Sequence, residues 1–532
     1  MSAAAVPASF PSAGSWTPVC ALDDIPVDTG VAALVGGDQV AVFRLADGRV
    51  HALGNRDPYS GANVLARGIL GDLQGEPVVA SPVYKQHFSL ATGRCIEEPE
   101  IAVATYAVRL VDGRIEISAD TAGAPARPQL VVVGGGLAAL RTLEELLRLA
   151  PERYDITLFS AEQEPGYNRV LLSSLLAGDK TRADLAGHGA EWFAARGIRL
   201  HAGDPVVAID RARRTVRAAS GLEARYDRLL LATGSEPYMP PLAGCDLRGV
   251  LNFRDLDDVG RMLEAAANER AAVVIGGGVL GIEAAHGLLR RGMSVTLVHV
   301  KPRLMERALD VVASALLATR LESHGLALRL GVGVEALLGE RTGGVRAVRL
   351  ASGEEIPATL VVIATGIVPN ARLARAAGLP CGRGLRVNDT LQSFDPRIYA
   401  VGECVQHRGT TYGLVAPIFE QARVCANHLA GRGIASYRGS IASTTLKVNG
   451  VDLFSAGDLS AKEGARELMY RDAAGAVYRK LVVREGRLQG ALSFGDGRDS
   501  AWYLELMQQG ADVGRYGERL LFGKRYADEQ AA

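Results

Sequence analysis

The spacing of hydrophobic residues changes character twice along the chain. Over residues 16–118 apolar and polar positions alternate in short runs. Val40-Ala41-Val42-Phe43-Arg44-Leu45 and Arg49-Val50-His51-Ala52-Leu53 flank Asp47-Gly48 and predict a β-hairpin. Tyr106–Val111 and Arg114–Ile117, around Asp112-Gly113, predict a second. Residues 119–128 are rich in Ala, Gly and Pro and read as a linker. From Gln129 onward, β-branched runs lead into glycine turns and then into helical patterns. That alternation implies parallel sheets. A second such unit spans 251–369, and 370–436 is expected to return to the first, which begins at 129–250. Beyond 440 the chain is β-rich again, over 441–526. Ser443–Val448 and Tyr478–Val483 read as strands, and a helix is expected over 499–509.

Two glycine turns stand out. The first follows Val131-Val132-Val133 and reads Gly134-Gly135-Gly136-Leu137-Ala138-Ala139. The second follows Val273-Val274-Ile275 and reads Gly276-Gly277-Gly278-Val279-Leu280-Gly281. Each is a Gly-x-Gly-x-x-Gly/Ala dinucleotide fingerprint. The first glycine makes the tight turn, the second lets backbone approach a pyrophosphate, and the third small residue lets helix pack on strand. Two fingerprints about 140 residues apart point to two dinucleotides in one enzyme, a bound flavin and a diffusing nicotinamide. Glu162, after the strand Asp155–Phe159, sits where an acid accepts both hydrogen bonds of a ribose diol. Arg169, in Tyr167-Asn168-Arg169, offers a fixed charged fork to the first cofactor's pyrophosphate or ring oxygens. Leu231-Ala232-Thr233-Gly234 and Ile363-Ala364-Thr365-Gly366 are matching turns at the ends of the two regions. Gly402 would admit a cofactor closely, and Glu403 would accept hydrogen bonds from ribityl hydroxyls. At the end of the strand Ser294–His299, a glutamate would favour NADH. His299 with Lys301 and Arg303 removes that repulsion of a 2′-phosphate and adds positive charge, so NADPH is expected to serve about as well as NADH.

The bulk numbers narrow the partners. The 532 residues suffice for three or four domains. Basic and acidic residues number 59 each, which gives no hint of nucleic acid or an acidic membrane as partner. No apolar run is long enough to span a membrane. Met1–Ser15 lacks the basic and apolar regions of a secretory signal and reads as a loose tail of a cytoplasmic protein. The six cysteines show no C-x-x-C spacing, which excludes the usual redox dithiol and metal motifs. Cys404 reads as a small buried residue.

The fingerprints, the two Ala-Thr-Gly turns and Tyr399-Ala400-Val401-Gly402-Glu403 together resemble the two-dinucleotide flavoprotein reductases. Tyr167-Asn168-Arg169, Val298–Arg307, Gly413–Pro417 and Thr445–Asp452 narrow this. Over about 129–500 the chain resembles the flavin module of NAD(P)H-dependent nitrite reductase large subunits. It is similar, too, to the electron-transfer subunit of assimilatory nitrate reductases. The resemblance implies an α/β reductase with two dinucleotide-binding domains, tightly bound FAD, and NADH or NADPH as co-substrate. It places Glu283 beside the nicotinamide, and no side chain is marked as a certain catalytic group. Electrons would leave to a nitrite or nitrate reductase catalytic subunit. Homo-oligomers are compatible with this reading. A ferredoxin or rubredoxin reductase of another electron-transfer system, and a non-enzymatic FAD-binding regulatory or assembly protein, are the alternatives.

Residues 16–118 resemble the Rieske-type small subunit of the same nitrite reductases, through Ser81-Pro82-Val83-Tyr84 and the run to Gly93. A Rieske cluster needs two Cys and two His ligands. Ser81 and Tyr84, with Asn55 and Asp57 in the other loop, stand at those places, and His51 and His87 are off register. The expectation is therefore a docking or structural domain without an iron–sulfur cluster and without any metal. The cysteine-rich and sirohaem modules of nitrite reductase large subunits are not expected within these 532 residues.

Overall fold

The computed structural model describes residues 16–99, 101–121, 127–460 and 462–528. The tail expected over 1–15 and the middle of the expected linker lie outside the described residues. Two compact units divide the chain. One is built on the residues up to Leu130 with Ala150–Asp155 and Leu429–Gly433, the other on the remainder.

In the first unit both sequence-predicted hairpins form. A six-stranded antiparallel sheet runs in the order Trp16–Ala21, Arg114–Thr121, Thr105–Val111, Val50–Gly54, Asp38–Arg44, Thr29–Val35. A three-stranded sheet is made by Ile69–Leu73, Glu76–Ala80 and His87–Ser89. Side chains alternate across a strand, and Asp38–Arg44 buries both faces. Val40 and Val42 join Ile115 and Ile117 on one side, whereas Ala41 and Phe43 join Leu53, Leu65 and Phe88 on the other. Gly30 is required opposite Phe43: a Cβ there would lie 2.6 Å from the ring and from the Ala66 carbonyl oxygen.

The second unit uses one plan twice. A five-stranded parallel sheet has the order Arg199–Ala202, Asp155–Ser160, Gln129–Val133, Arg228–Leu231, Ile398–Ala400. Another has the order Val250–Asn252, Leu360–Ile363, Ala271–Ile275, Ser294–His299, Ala327–Leu330. Each carries a three-stranded antiparallel insert, over Val206–Arg225 in the first and Val334–Pro357 in the second. The central strands are apolar throughout because helices or inserts cover both faces of a parallel sheet. The first sheet is completed only by Ile398–Ala400, which pairs with Arg228–Leu231 after the whole second sheet has intervened.

A C-terminal five-stranded antiparallel sheet follows, carrying the helix Ser500–Gln509. Phe454, Leu481 and Ala491 pack there against Tyr503 and Leu506. The strand expected over Ser443–Val448 is shorter than its apolar pattern suggests and ends at Thr445. The Lys447 N–H leaves the sheet and donates to Glu283 instead.

Candidate dinucleotide sites

The fingerprints behave as their glycines require. Gly134 and Gly276 have φ of 108° and 125°. A Cβ on Gly134 would lie 2.2 Å from the Ala232 carbonyl oxygen, and one on Gly276 would lie 2.3 Å from that of Ala364. No side chain fits at either place. A Cβ at Gly136, Gly278 or Gly366 would meet nothing within 4 Å. The backbone is thus open to close approach at the N-termini of the helices Leu137–Leu149 and Val279–Arg290. That is the cradle a pyrophosphate needs. The third positions differ. Ala139 is fully buried, whereas a Cβ at Gly281 would lie 2.0 Å from the Gly276 carbonyl oxygen. The second helix sits closer to its turn than the first.

The two Ala-Thr-Gly turns are joined to each other. Ser235–Pro237 and Ile367–Pro369 form an antiparallel ribbon. Thr233 Oγ1 donates to the Asn370 carbonyl at 2.6 Å, and Thr365 Oγ1 donates to that of Tyr238 at 2.8 Å. Gly234, with φ of 65°, opens beside Glu403.

A chain of charges surrounds the first turn. Arg169 bonds to Glu162 and donates to the Arg254 carbonyl at 2.7 Å. Arg254 in turn binds Glu403 Oε2 at 2.5 Å, and Ser235 Oγ donates to the same oxygen at 2.8 Å. Burial opposes a charge on Arg169, but the acidic groups around it, among them the hydrogen-bonded Glu162 and Glu403, outweigh it and hold the guanidinium charged. Burial pushes the Tyr167 phenol above its usual range. Gly402, with φ of 89°, donates its N–H to Gln421 Oε1 at 2.8 Å. Cys404 is buried, and desolvation raises its thiol. The structure therefore brings Glu162, Arg169, Gly234, Gly402 and Glu403 together. Arg254, Ser235 and Gln421 complete the group and were missed in sequence. Arg254 had one signal: a charge at the mouth of a short strand, just before the Asp255 cap.

The second turn holds different chemistry. Gly277 N–H donates to His299 Nδ1 at 3.0 Å, and His299 Nε2 faces Glu306 Oε2 at 3.1 Å. Lys301 is exposed and Arg303 half-buried, and neither bonds to His299. Farther along the same helix, Glu283 is 6% exposed and accepts the Lys447 N–H at 2.9 Å. Burial raises its carboxyl above the usual range, opposed by the Ser173 hydroxyl and by Lys447. The Lys447 ammonium donates to the Val170 carbonyl, next to Arg169. Gly287, one turn on, lies so close to the helix Leu172–Ala177 that a Cβ would be 2.8 Å from Leu176 Cγ. The helix that opens the second site is thus packed on the segment that carries Arg169. These residues fit FAD at the first turn and a nicotinamide dinucleotide at the second.

In the first unit, Ser81 Oγ donates to Asp57 Oδ2 at 2.5 Å, and both residues are fully buried. Asp57 Oδ1 accepts the Tyr59 N–H at 2.8 Å, and Asn55 Oδ1 accepts that of Ala66 at 2.8 Å. Tyr84 is exposed. His87 pairs with Glu97 at 2.6 Å, an ordinary strand-end role.

Residues 128–428 match the pyridine nucleotide-disulphide oxidoreductase family model, and 443–511 match the rubredoxin NAD+ reductase C-terminal domain. Nitrite reductase [NAD(P)H] of Bacillus subtilis (strain 168) is 43% identical over 387 residues, 73% of this chain and 48% of that protein. The assimilatory nitrate reductase electron transfer subunit of the same organism is 38% identical over 389 residues, 73% of this chain and 50% of the relative. The chain thus spans about half the length of these relatives. A ferredoxin reductase from Rhodopseudomonas palustris superposes with a TM-score of 0.66 at 26% identity, over 73% of this chain and 98% of that one. Putidaredoxin reductase, in its covalent putidaredoxin complex, gives 0.67 at 27% identity, over 73% and 94%. Residues 15–118 match the Rieske-like [2Fe-2S] domain model. That match overturns the expectation of a cofactor set without an iron–sulfur group, because the domain type is defined by one. The residues at its two loops, Asn55, Asp57, Ser81 and Tyr84, do not fit as two thiolates and two imidazoles, and no electron-transfer step is assigned to the domain. Architecture, paired fingerprints and family match agree: this chain belongs to the pyridine nucleotide-disulphide oxidoreductase family.

Proposed function

We propose that the chain oxidises NADH or NADPH through FAD and delivers the electrons to the catalytic part of a nitrite or nitrate reductase. The carrying observation is the direct packing of the two sites. Gly287, on the second fingerprint's helix, packs against Leu176 of the helix that follows Arg169, while Lys447 bonds to both Glu283 and Val170. This junction joins the helix that opens the second turn to the segment that carries Arg169. Bound FAD supplies a two-electron acceptor for hydride. The protein's part is to bind, orient and exclude water. Gly136 and Gly278 present backbone to the phosphates, while Glu162 and Glu403 accept hydrogen bonds from sugar hydroxyls. Arg169 and Arg254 fix these two carboxylates. Glu283 and Lys447 close the junction, and their burial keeps solvent from it.

The relatives named as nitrite reductase and nitrate reductase electron transfer subunit support the choice of acceptor. The match of 443–511 to a rubredoxin reductase domain, and the structural likeness to ferredoxin reductases, favour a small redox protein as the second reading. Reconstitution decides between them. The purified chain should reduce ferricyanide with NAD(P)H. Adding a nitrite or nitrate reductase catalytic module should then give coenzyme-dependent nitrite or nitrate consumption. Transfer to rubredoxin or ferredoxin, with none to either reductase, would establish the second reading. Removing residues 1–120 should weaken coupling to the reductase more than it weakens ferricyanide reduction. Unchanged coupling would refute a docking role for the Rieske-like domain.

A further inference from the structure

The end of the strand Ser294–His299 is where a dinucleotide unit of this kind reads the adenosine ribose. A histidine stands there, and its two nitrogens are already engaged. Gly277 N–H donates to Nδ1 at 3.0 Å, so the ring proton of the neutral imidazole is on Nε2 and points at Glu306, 3.1 Å away. The ring also lies flat against the fingerprint. A Cβ on Gly277 would be 2.6 Å from His299 Cγ. The imidazole is therefore a spacer between the turn and a carboxylate, with no donor left for a phosphate.

The loop after the strand is folded to bring that carboxylate in. Met305 has a φ of 49°, in the left-handed region that a methionine rarely adopts. Its N–H donates to the Gly277 carbonyl at 2.9 Å, and Leu304 and Met305 are buried. These anchors leave Glu306 beside the second fingerprint, its side chain 29% exposed and the His299 side chain 11% exposed. Burial opposes charge on Glu306. Hydrogen bonds from its own backbone and from His299 outweigh that, and the carboxyl is held below its usual range. Lys301 and Arg307 are exposed, so solvent weakens their fields at this point.

We propose that Glu306, held in place by His299, reads the adenosine ribose and makes the chain select NADH over NADPH. A carboxylate accepts hydrogen bonds from the 2′- and 3′-hydroxyls and repels a 2′-phosphate. The acid arrives seven residues after the strand end, carried by a histidine, rather than at the strand end itself. This inference rests on the proposed coenzyme site at the second fingerprint. It replaces the expectation that His299, Lys301 and Arg303 would welcome NADPH.

The test uses the FAD-loaded full chain. ADP-ribose and 2′-phospho-ADP-ribose, which differ only at the 2′ position, are titrated by calorimetry, and ferricyanide reduction is measured with NADH and NADPH. ADP-ribose should bind about tenfold or more tighter than 2′-phospho-ADP-ribose, and kcat/KM should favour NADH by a similar factor. Glu306→Gln should bring both ratios to within about threefold, chiefly by improving the phosphorylated partner, while Glu306→Asp keeps the preference. Equal binding of the two fragments by the unaltered chain, which needs no variant to fold, would overturn the proposal. So would unchanged ratios in a Glu306→Gln protein that retains its FAD. Absence of fragment binding together with absence of turnover from either coenzyme would instead overturn the coenzyme site itself.

Discussion

Replacing Arg254 by Leu probes the first cofactor site through a residue that no motif marks. The Arg254–Glu403 contact is 2.5 Å, with the two side chains 17% and 15% exposed. A charge-assisted hydrogen bond in such surroundings contributes about 1.5–3 kcal/mol. Partial solvent access argues for the lower half, about 1.5–2 kcal/mol. Without Arg254, Glu403 keeps the Ser235 hydroxyl as a hydrogen-bond donor and the more distant Arg169 charge, and its less compensated charge disfavours the electron-rich cofactor beside it. At about 1.4 kcal/mol per decade, FAD should bind roughly 10–30-fold more weakly. The assay is rebinding of FAD to deflavinated protein, followed by quenching of flavin fluorescence. A double-mutant cycle with Glu403→Gln isolates the pair: the second substitution should recover much of the loss, with a coupling of about 1–2 kcal/mol. Additivity within about 0.5 kcal/mol would refute the pairing.

Three further outcomes are expected. Gly281→Ala places a methyl 2.0 Å from the Gly276 carbonyl oxygen; overpacking of this kind costs about 1–3 kcal/mol and should weaken ADP-ribose binding roughly 5–100-fold with FAD content unaltered, so unchanged affinity would contradict the close helix packing. Glu283 has its carboxyl raised above 4.5 by burial, so the native state holds this proton longer than the unfolded chain does and wild-type stability falls as pH rises through that raised value. Glu283→Gln should therefore gain stability relative to wild type from about pH 4.5 upward and show no advantage below it; a pH-independent difference in urea midpoints would refute this. Cys95, Cys404 and Cys425 are buried, with burial raising all three thiols. Only Cys20, Cys245 and Cys381 should react with a thiol reagent in native protein, the rest after denaturation.

The turns were legible in sequence because a left-handed backbone is written in the residue itself. Gly134 and Gly276 can be read without knowing what surrounds them. Both N-terminal hairpins were legible for the same reason, through Asp47-Gly48 and Asp112-Gly113. Arg254, Lys447 and Glu306 were not. Arg254 meets a carboxylate 149 positions away, and Lys447 meets one 164 positions away. Glu306 is local, but its role depends on a left-handed Met305, a conformation that no methionine announces. The strand at 443–448 is shorter than its apolar pattern predicts, because that pattern cannot show that the Lys447 N–H serves a buried acid. In the Rieske-like unit the framework was visible, and the family match assigns the domain type that the ligand positions alone argued against.

The split first sheet sets an order of assembly during synthesis. Arg228–Leu231 leaves the ribosome with an open edge, and its partner Ile398–Ala400 follows only after 400 − 231 = 169 further residues. At about 5–20 residues per second that edge waits for roughly 10–30 s. Meanwhile the second sheet, complete by Ile363, can close by itself. The nascent chain therefore acquires its later-encoded nucleotide fold before its earlier one. Glu403 emerges after both, so FAD capture is a late event in the protein's biogenesis. An unpaired edge is also a template for wrong partners. A stall in translation before Ile398 should then appear as aggregation of half-built chains, whereas a stall after Ala400 should not.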